Sequence, residues 1–213
     1  MQQLPELDEY AFKELREYLS KNKIKSGVYG MDKIDLSKNS WLHPKLLYLL
    51  LKYALVHVPI PFTSIKINVS RPEKIKGLSY IVGFGSYTGG ELVLNGQENS
   101  IWHRPLIFNG SDIKHSVKSF VGKRWTIVFY TGNQTVRKLS DYEPVVRRED
   151  GAWVIAFRKD DGSTVYLDKE NGLPQPVKDR KTTPEPPTIE DNPRLTAAQN
   201  LMLRFREPCH STD

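Results

Sequence analysis

The stretch from Ser79 to Tyr130 constrains the fold of this chain more than any other. Its apolar runs of four to seven residues alternate with Gly, Asn-Gly and Pro breaks, which is typical of successive short antiparallel strands. Asn95-Gly96 is the strongest hairpin signal, because both positions tolerate the positive φ of a two-residue primed turn. The run that begins at Arg124 alternates large and small side chains and predicts a strand buried on one face. The stretch therefore predicts a small β barrel or sandwich.

Two helical segments precede this stretch. Apolar residues between Glu6 and Ser20 recur at helical spacing, which indicates an amphipathic helix. The segment from Pro44 to Val58 is the most apolar of the chain and opens with a proline that fits a first helical turn. The segment has fewer than about 18 apolar residues in a row, and Lys45 and Lys52 lie inside it. It is therefore too short and too charged to span a membrane. We interpret it as a buried helix that braces the sheet.

The chain beyond the β-rich stretch begins with a mixed, basic segment and a second β pattern. Apolar runs at 152–157 and 163–167 flank an Asp-Gly turn and predict a β hairpin. Its aromatic residues Trp153, Phe157 and Tyr166 have two interpretations. They anchor the hairpin on the main domain, or they form a platform for a peptide or a base.

The C-terminal region has the composition of an extended arm. The segment from Asn171 to Pro193 holds six of the 14 prolines and almost no apolar residues, so it cannot bury enough surface to fold alone. Beyond it, residues 196–206 begin with an N-cap candidate, Thr196, and predict a short helix. The apolar stripe of that helix consists of Leu201, Met202 and Phe205. We expect it to dock either on this chain or on a neighbouring subunit.

These patterns predict one main domain with appendages. The expected parts are an N-terminal helical support (1–61), a β core (62–135), a basic segment with the hairpin (136–170), and a proline-rich arm ending in a short helix (171–213). A single cysteine, Cys209, excludes an internal disulfide and a cysteine metal cluster and suits a reducing compartment. The N-terminal residues lack the pattern of a signal peptide, so we expect an intracellular protein of the cytoplasm, nucleus or a virion, not a secreted one.

The charge balance bears on partners. The formal net charge is +6 and lies upstream of Asn171, because basic and acidic residues cancel in the remainder. The basic residues collect in four runs: Lys21–Lys25, Lys66–Lys76, Lys114–Arg124 and Arg137–Arg148. Such runs are compatible with an ordinary solvated surface and also favour the hypothesis of a phosphate-bearing partner such as a nucleic acid.

Several motifs in the β-rich stretch carry a family resemblance. They are Gly89-Gly90-Glu91-Leu92, Phe108-Asn109-Gly110, His115 and Gly122-Lys123-Arg124. In this order they resemble the second half of the iron(II) and 2-oxoglutarate-dependent dioxygenases. The series is similar in particular to the branch of TET and J-binding-protein type nucleic-acid oxidases, which has many relatives in protists, fungi and large viruses.

The resemblance implies a double-stranded β-helix in which a His-x-Asp pair and a distal histidine hold iron. Two imidazoles and one carboxylate occupy one face of the octahedral ion and leave positions for the oxoacid and oxygen. It also implies an arginine beyond the distal histidine, whose planar guanidinium binds the far carboxylate of 2-oxoglutarate through two parallel hydrogen bonds.

Residue by residue, the resemblance places His115 at the distal iron ligand and Arg124 at the oxoglutarate arginine. Counted back from Gly77, the His-x-Asp pair falls on Ser70 and Pro72, and neither can replace the lost ligand. The loop that should present the pair also looks several residues short. None of the five histidines is followed two residues later by Asp or Glu, so no intact iron-binding triad is present in the sequence.

A site left with one histidine would have to recruit ligands from elsewhere. The nearby candidates are Glu73, His103 and His57. Both retained residues also have ordinary explanations, since His115 fits a strand-end histidine and Arg124 could pair with a carboxylate such as Glu91.

The sequence thus predicts an α+β, mainly β protein. Its core is a double-stranded β-helix of jelly-roll, cupin-like type, braced by N-terminal helices and followed by a β hairpin and an extended tail. The favoured function is a non-catalytic module with a degenerate iron site and no cofactor, held in an assembly through residues 171–213 and not bound to a membrane. The alternative is an active oxygenase of a nucleobase or protein side chain, with iron(II) on His115 and 2-oxoglutarate on Arg124.

Overall fold

The computed structural model describes residues 1–32, 35–69, 77–132, 138–147 and 150–167. In these residues the protein is α+β and mainly β, with few helices and antiparallel sheets that are compatible with a jelly roll. The helices are α1 (Lys13–Lys21), α2 (Lys38–Leu42) and α3 (Pro44–His57), with 3-10 turns at Glu9–Phe12 and Leu139–Asp141. The strands are β1 (Gln2–Gln3), β2 (Gly27–Asp32), β3 (Asp35–Leu36), β4 (Ser64–Val69), β5 (Leu78–Gly89), β6 (Leu92–Leu94), β7 (Gln97–Asn99), β8 (Leu106–Asn109), β9 (His115–Val117), β10 (Phe120–Tyr130), β11 (Tyr142–Val146), β12 (Trp153–Arg158) and β13 (Thr164–Leu167).

The main sheet has seven strands in the order β1-β8-β5-β10-β4-β2-β3. Strand β10 lies at its centre and pairs with β5 along its whole length, from Phe120 opposite Gly89 to Tyr130 opposite Ser79. Its other edge pairs with β4. The strand predicted from the alternation of large and small side chains is therefore confirmed as the one on which the sheet is built.

One face of the main sheet is covered by helices. Trp125, Ile127 and Phe129 of β10 point to this face and join a large apolar core with residues of α1 and α3. Both predicted helices are confirmed, although the first begins as a 3-10 turn whose N-terminus is capped by Asp8. Helix α3 begins at Pro44, which lies at its first turn, as the sequence predicts.

The opposite face of the main sheet packs against a small sheet with the order β7-β6-β9. A second apolar core lies between the two sheets, formed by Ile81, Leu92, Leu94, Ile101, Leu106, Phe108 and Val128. The predicted hairpin turn between β6 and β7 is confirmed, because Asn95 and Gly96 have φ values of 49° and 86°. The space between these two sheets is called the sandwich interior below.

The predicted C-terminal hairpin is confirmed as β12 and β13, but it belongs to a three-stranded sheet. The third strand, β11, comes from the segment that the sequence marked only as mixed and basic. Trp153 packs on Tyr48 of α3 with ring centroids 4.9 Å apart, and Phe157 packs on Tyr142 at 5.0 Å. These two aromatic residues anchor the sheet, whereas Tyr166 is 47% exposed.

The segment 1–61 contributes more than helical support, since β1, β2 and β3 all belong to the main sheet. The short runs of these strands carry no periodicity long enough to reveal them in the sequence. The predicted domain boundaries stay predictions, and residues 168–213, with the arm and its terminal segment, lie outside the described residues. Across the described ranges, no helix combines the length and apolar character needed to cross a membrane.

Candidate functional site

Two polar or charged residues of β10 and one of its partner strand β4 point towards the sandwich interior. Residues directly opposite each other in an antiparallel pair have their side chains on the same face. Arg124 lies opposite Gly85, and Thr126 lies opposite both Gly83 and Asn68. Val128, two residues further along β10, belongs to the apolar core between the two sheets. Arg124, Thr126 and Asn68 therefore share the face that looks at the small sheet.

Arg124 is the largest fully buried side chain of the described residues, with 1% exposure. Its Nη2 donates to the carbonyl oxygen of Gly90 at 3.3 Å. Its Cζ also lies 5.6 Å from the ring centroid of Tyr87 and 5.3 Å from that of Phe120. A buried guanidinium stays charged, so it needs such contacts to offset the loss of water. The chain itself supplies them at this position.

Gly90 permits the approach of Arg124. Its φ is +75°, and a Cβ built on it would lie 3.0 Å from Nε of Arg124 and 3.1 Å from Cβ of Phe120. A side chain at this position would be strained by the positive φ and would require Arg124 and Phe120 to shift by a few tenths of an ångström. The Gly-Gly pair marks a special backbone in the sequence, but nothing there indicates that the second glycine faces an arginine 34 residues later in the chain.

Tyr87 occupies the space beside Arg124. Its hydroxyl oxygen lies 2.5 Å from the place where a Cβ on Gly83 would stand. Gly85 lies between the two residues and has a φ of +112°. Tyr87 follows Gly83 by four residues on the same face of β5, so the chain's own side chain fills this part of the sandwich interior. Sequence reasoning missed both Tyr87 and Phe120, because their role depends on the register between β5 and β10.

The other two polar residues of this face, Asn68 and Thr126, contact each other. The amide nitrogen Nδ2 of Asn68 donates to Oγ1 of Thr126 at 3.3 Å, and both residues are buried. A buried amide and hydroxyl that hydrogen-bond each other avoid most of the cost of leaving water. Neither residue is an anionic or imidazole ligand, so the pair adds polarity to the site without adding a metal donor of the kind that iron prefers.

His115 is the first residue of β9 and lies opposite Leu94. It is half-buried, and its ring meets Phe108 of the second apolar core edge-on at 5.9 Å. Its Nδ1 lies 3.0 Å from the carbonyl oxygen of Ile113. Because a carbonyl only accepts, Nδ1 donates in this contact, which leaves Nε2 as the nitrogen able to accept. The imidazole therefore borders the same interior as Arg124.

His103, a candidate additional ligand, lies on the other side of the main sheet. Its ring is stacked between Phe12 at 4.8 Å and Trp102 at 4.0 Å, measured between centroids. Phe12 belongs to the helix-covered core. Burial lowers the pKa of His103, and the positive charge of Arg16 lowers it further. The structure does not bring this histidine to His115.

His57, another candidate ligand, ends helix α3. Its ring packs on Tyr53 with the centroids 4.8 Å apart, again on the helix-covered side. Burial lowers its pKa, and the charge of Asp8 partly opposes that effect. His57 is thus a packed histidine at a helix end, and the structure does not bring it to His115.

The described residues of the sandwich interior do not supply a set of ligands that fits iron. Ser70, Pro72 and Glu73 lie outside the described residues, but their chemistry is set by the sequence, and the proline has no side-chain donor at all. Within the described ranges, no three His, Cys, Asp or Glu side chains are grouped to hold a metal. An imidazole alone gives too few ligands for a stable ferrous site.

No protein-family model matches this chain, and no curated protein matches it. Among solved structures, the chain is similar to NgTET1, determined in complex with 5mC DNA. The identity is 16%, the TM-score is 0.44, and the match covers 62% of this chain and 71% of NgTET1.

Proposed function

We propose that this protein is a non-catalytic, dioxygenase-like module whose iron site has degenerated, and that it serves as a binding or structural subunit. The path of the chain supports a double-stranded β-helix. From β4 onward the strands pass from the main sheet (β5) to the small sheet (β6 and β7), return at β8, and cross again through β9 to β10. Alternation between two facing sheets is what the family resemblance implies.

The observation that carries the proposal is the environment of Arg124. The position that would bind the oxoacid holds a guanidinium that donates to Gly90 and lies against two rings of its own chain. Tyr87 fills the space next to it. Together with proline and serine at the two lost ligand positions, this supports an interior that has become part of the packed core.

An anaerobic titration of the full chain with iron(II) and 2-oxoglutarate tests this proposal. A chelated oxoacid gives a visible charge-transfer band on iron, and we expect none. The double variant Ser70→His, Pro72→Asp restores the missing donors and serves as the matched comparison. A wild-type band that disappears in His115→Ala would overturn the proposal and favour the alternative, an active iron(II)/2-oxoglutarate oxygenase.

The second part of the proposal concerns partners. A proline-rich arm that ends in an amphipathic segment suits attachment to a protein surface, because such an arm extends without folding and presents a helix at its end. Deletion after Gly172 should leave a folded core, and its far-UV circular dichroism spectrum should still show the helices and strands of the full chain. An unfolded or insoluble truncation would contradict the proposed role of residues 171–213.

Nucleic acid is the other partner class that the basic runs favour. The expected signature is binding of duplex DNA whose affinity falls steeply as salt rises, because phosphate contacts release counterions. Fluorescence anisotropy of a labelled duplex at two salt concentrations measures it. Equal anisotropy with and without protein at low salt would remove this hypothesis and leave the protein partner.

A further inference from the structure

A cavity lies away from the sandwich interior, between α1 and α3. Its volume is about 480 Å³. Tyr10 and Val56 line it and are 77% and 72% exposed, although both are large apolar side chains. The floor includes Leu49 and Tyr53, which belong to the helix-covered core. We call this feature the α1/α3 groove.

The rims of the groove are tied together and carry acidic groups. Nζ of Lys52 on α3 lies 2.9 Å from Oε2 of Glu14 on α1, and this hydrogen bond raises the pKa of the lysine. Glu17 lies one turn further along α1 and also lines the groove. Within the described ranges, no ion pair is found for Glu17. The groove thus offers exposed apolar surface beside a carboxylate that a basic partner could use.

We infer that the α1/α3 groove binds the terminal segment 196–206 of the same chain. Its apolar stripe, Leu201, Met202 and Phe205, offers a surface of the size that helix-in-groove contacts use. Arg204 lies between Met202 and Phe205, Arg206 follows Phe205, and both supply positive charge that can pair with the carboxylate of Glu17. The inference rests on the terminal helix of the proposed function and not on the loss of iron.

The path of the chain favours docking of residues 196–206 on the groove of the same chain over docking on another copy. The described residues end at Leu167 in β13, and the sheet that contains β13 packs on α3 through the contact of Trp153 with Tyr48. Residues 168–195 then separate this point from the terminal segment. A flexible chain of this length has a root-mean-square span of roughly 30 Å, and proline extends it further. Helix α3 is about 20 Å long at 1.5 Å per residue, so the segment reaches any part of the groove.

Residues 168–195 tether the terminal segment to the described part of the chain, and this tether gives the segment an advantage over other occupants of the groove. A tether of this length gives an effective concentration on the order of millimolar at the groove. A separate protein or a second copy must exceed that value, or bind more tightly, to displace the segment. The groove is therefore closed to weak partners unless the arm is removed or engaged elsewhere.

Cys209 allows a direct test, because it is the only cysteine of the chain and lies three residues beyond Arg206. A nitroxide attached to it broadens the nuclear magnetic resonance signals of nearby amides. We expect the amides of α1 and the second half of α3 to lose at least half of their intensity relative to the reduced label. Amides of β7, at the far edge of the small sheet, should keep theirs.

Two matched variants separate docking from chance proximity. Val56→Asp places a charge in the groove, and Val121→Asp makes the same change on β10 at a residue with 77% exposure. We expect the broadening to vanish with the first and to persist with the second. Both positions are exposed, so both variants should fold. Glu17→Lys should weaken the broadening, and adding Arg204→Glu with Arg206→Glu should restore it.

A mixed sample identifies the occupant. In it, one set of chains carries nitrogen-15 and no nitroxide, and the other set carries the nitroxide and no nitrogen-15. Broadening in this sample therefore reports contacts between copies. The inference predicts none in this sample. Broadening only here would replace the intramolecular contact with a dimer and overturn the inference. Absence of broadening in both samples would also overturn it, while the iron titration would still stand as the separate test of the degenerate site.

Discussion

The two faces of the main sheet are built from the same strand and differ in kind. On the helix-covered face, β10 presents Trp125, Ile127 and Phe129 to an aromatic and aliphatic core. On the sandwich face, the same strand presents Arg124 and Thr126 before it reaches the apolar Val128. Burial of apolar area stabilises the first face, whereas the second must offset the cost of buried polar groups through hydrogen bonds and ring contacts.

This difference indicates that the helix-covered face is built for stability and that the sandwich face is not built for stability alone. A core selected for stability alone has no need of a buried guanidinium, because apolar residues of similar volume do as well or better. Under the function proposed above, Arg124 buried beside Gly90 is the remnant of a ligand site. The predictions below compare the two faces, beginning with the largest expected effect.

Phe129→Ala should be the most damaging of these changes. Its ring is buried and packs on Tyr53, Phe62 and Tyr80 with centroids 5.0 to 6.0 Å apart. Removing a buried phenylalanine costs about 3–5 kcal/mol, because the transfer free energy is lost and a cavity remains. Urea denaturation followed by circular dichroism measures the loss. A cost below about 1 kcal/mol would mean that the helix-covered face contributes less to stability than its packing indicates.

Tyr53→Phe should cost less, about 1–3 kcal/mol, through a different mechanism. The two hydroxyl oxygens of Tyr53 and Tyr80 lie 2.7 Å apart in the core. Burial is the main cause that raises the pKa of Tyr80, and the pKa of Tyr53 is raised as well. The single variant leaves a buried hydroxyl without this partner.

The double variant Tyr53→Phe, Tyr80→Phe is the control for that mechanism. It removes both polar groups at once and should recover part of the lost stability. If the two substitutions simply add, the hydroxyl pair is not the cause of the cost, and the packing of the rings must be.

Arg124→Met should change the free energy of unfolding by less than about 1 kcal/mol, because an apolar side chain of similar length replaces a charge that was costly to bury. Arg124→Ala is the matched comparison and should cost about 2 kcal/mol or more through the cavity that it leaves. The difference between the two variants in urea denaturation sharpens the contrast between the faces. A methionine variant as unstable as the alanine one would show that the guanidinium itself stabilises the sandwich face.

The sequence predicted the elements whose signal is local. Alternation predicted β10, the primed turn Asn95-Gly96 predicted the β6–β7 hairpin, and the apolar run after Pro44 predicted α3. Short strands such as β1 and β3 have two residues each and carry no such signal. Their pairing depends on partners far away in the chain, which periodicity does not report.

The sequence led to two residues of the candidate site but not to the residues around them. The motifs led to Arg124 and His115, and both side chains border the sandwich interior. The residues that surround Arg124 were not predictable, since Tyr87 lies beside it only through the pairing of β5 with β10. Long-range register determines this environment, and it is not visible in residue spacing.

The smallest predicted effect is a pH dependence that belongs to the helix-covered side. Burial and the charge of Arg16 lower the pKa of His103, while Glu6, Asp8 and Glu9 act weakly in the opposite direction. The folded state therefore prefers the neutral imidazole, and its contribution to stability is present above the unfolded pKa of about 6.5 and is lost as the pH falls below it. His103→Asn removes the titration and keeps a residue that tolerates the φ of 55° at this position. The variant should be less stable overall, because it loses the stacking with Phe12 and Trp102, yet its free energy of unfolding should fall less between pH 7.5 and 5.5 than that of the wild type. Urea denaturation at the two pH values gives both slopes. Parallel slopes would assign the acid sensitivity to other groups, such as His57, whose pKa burial also lowers.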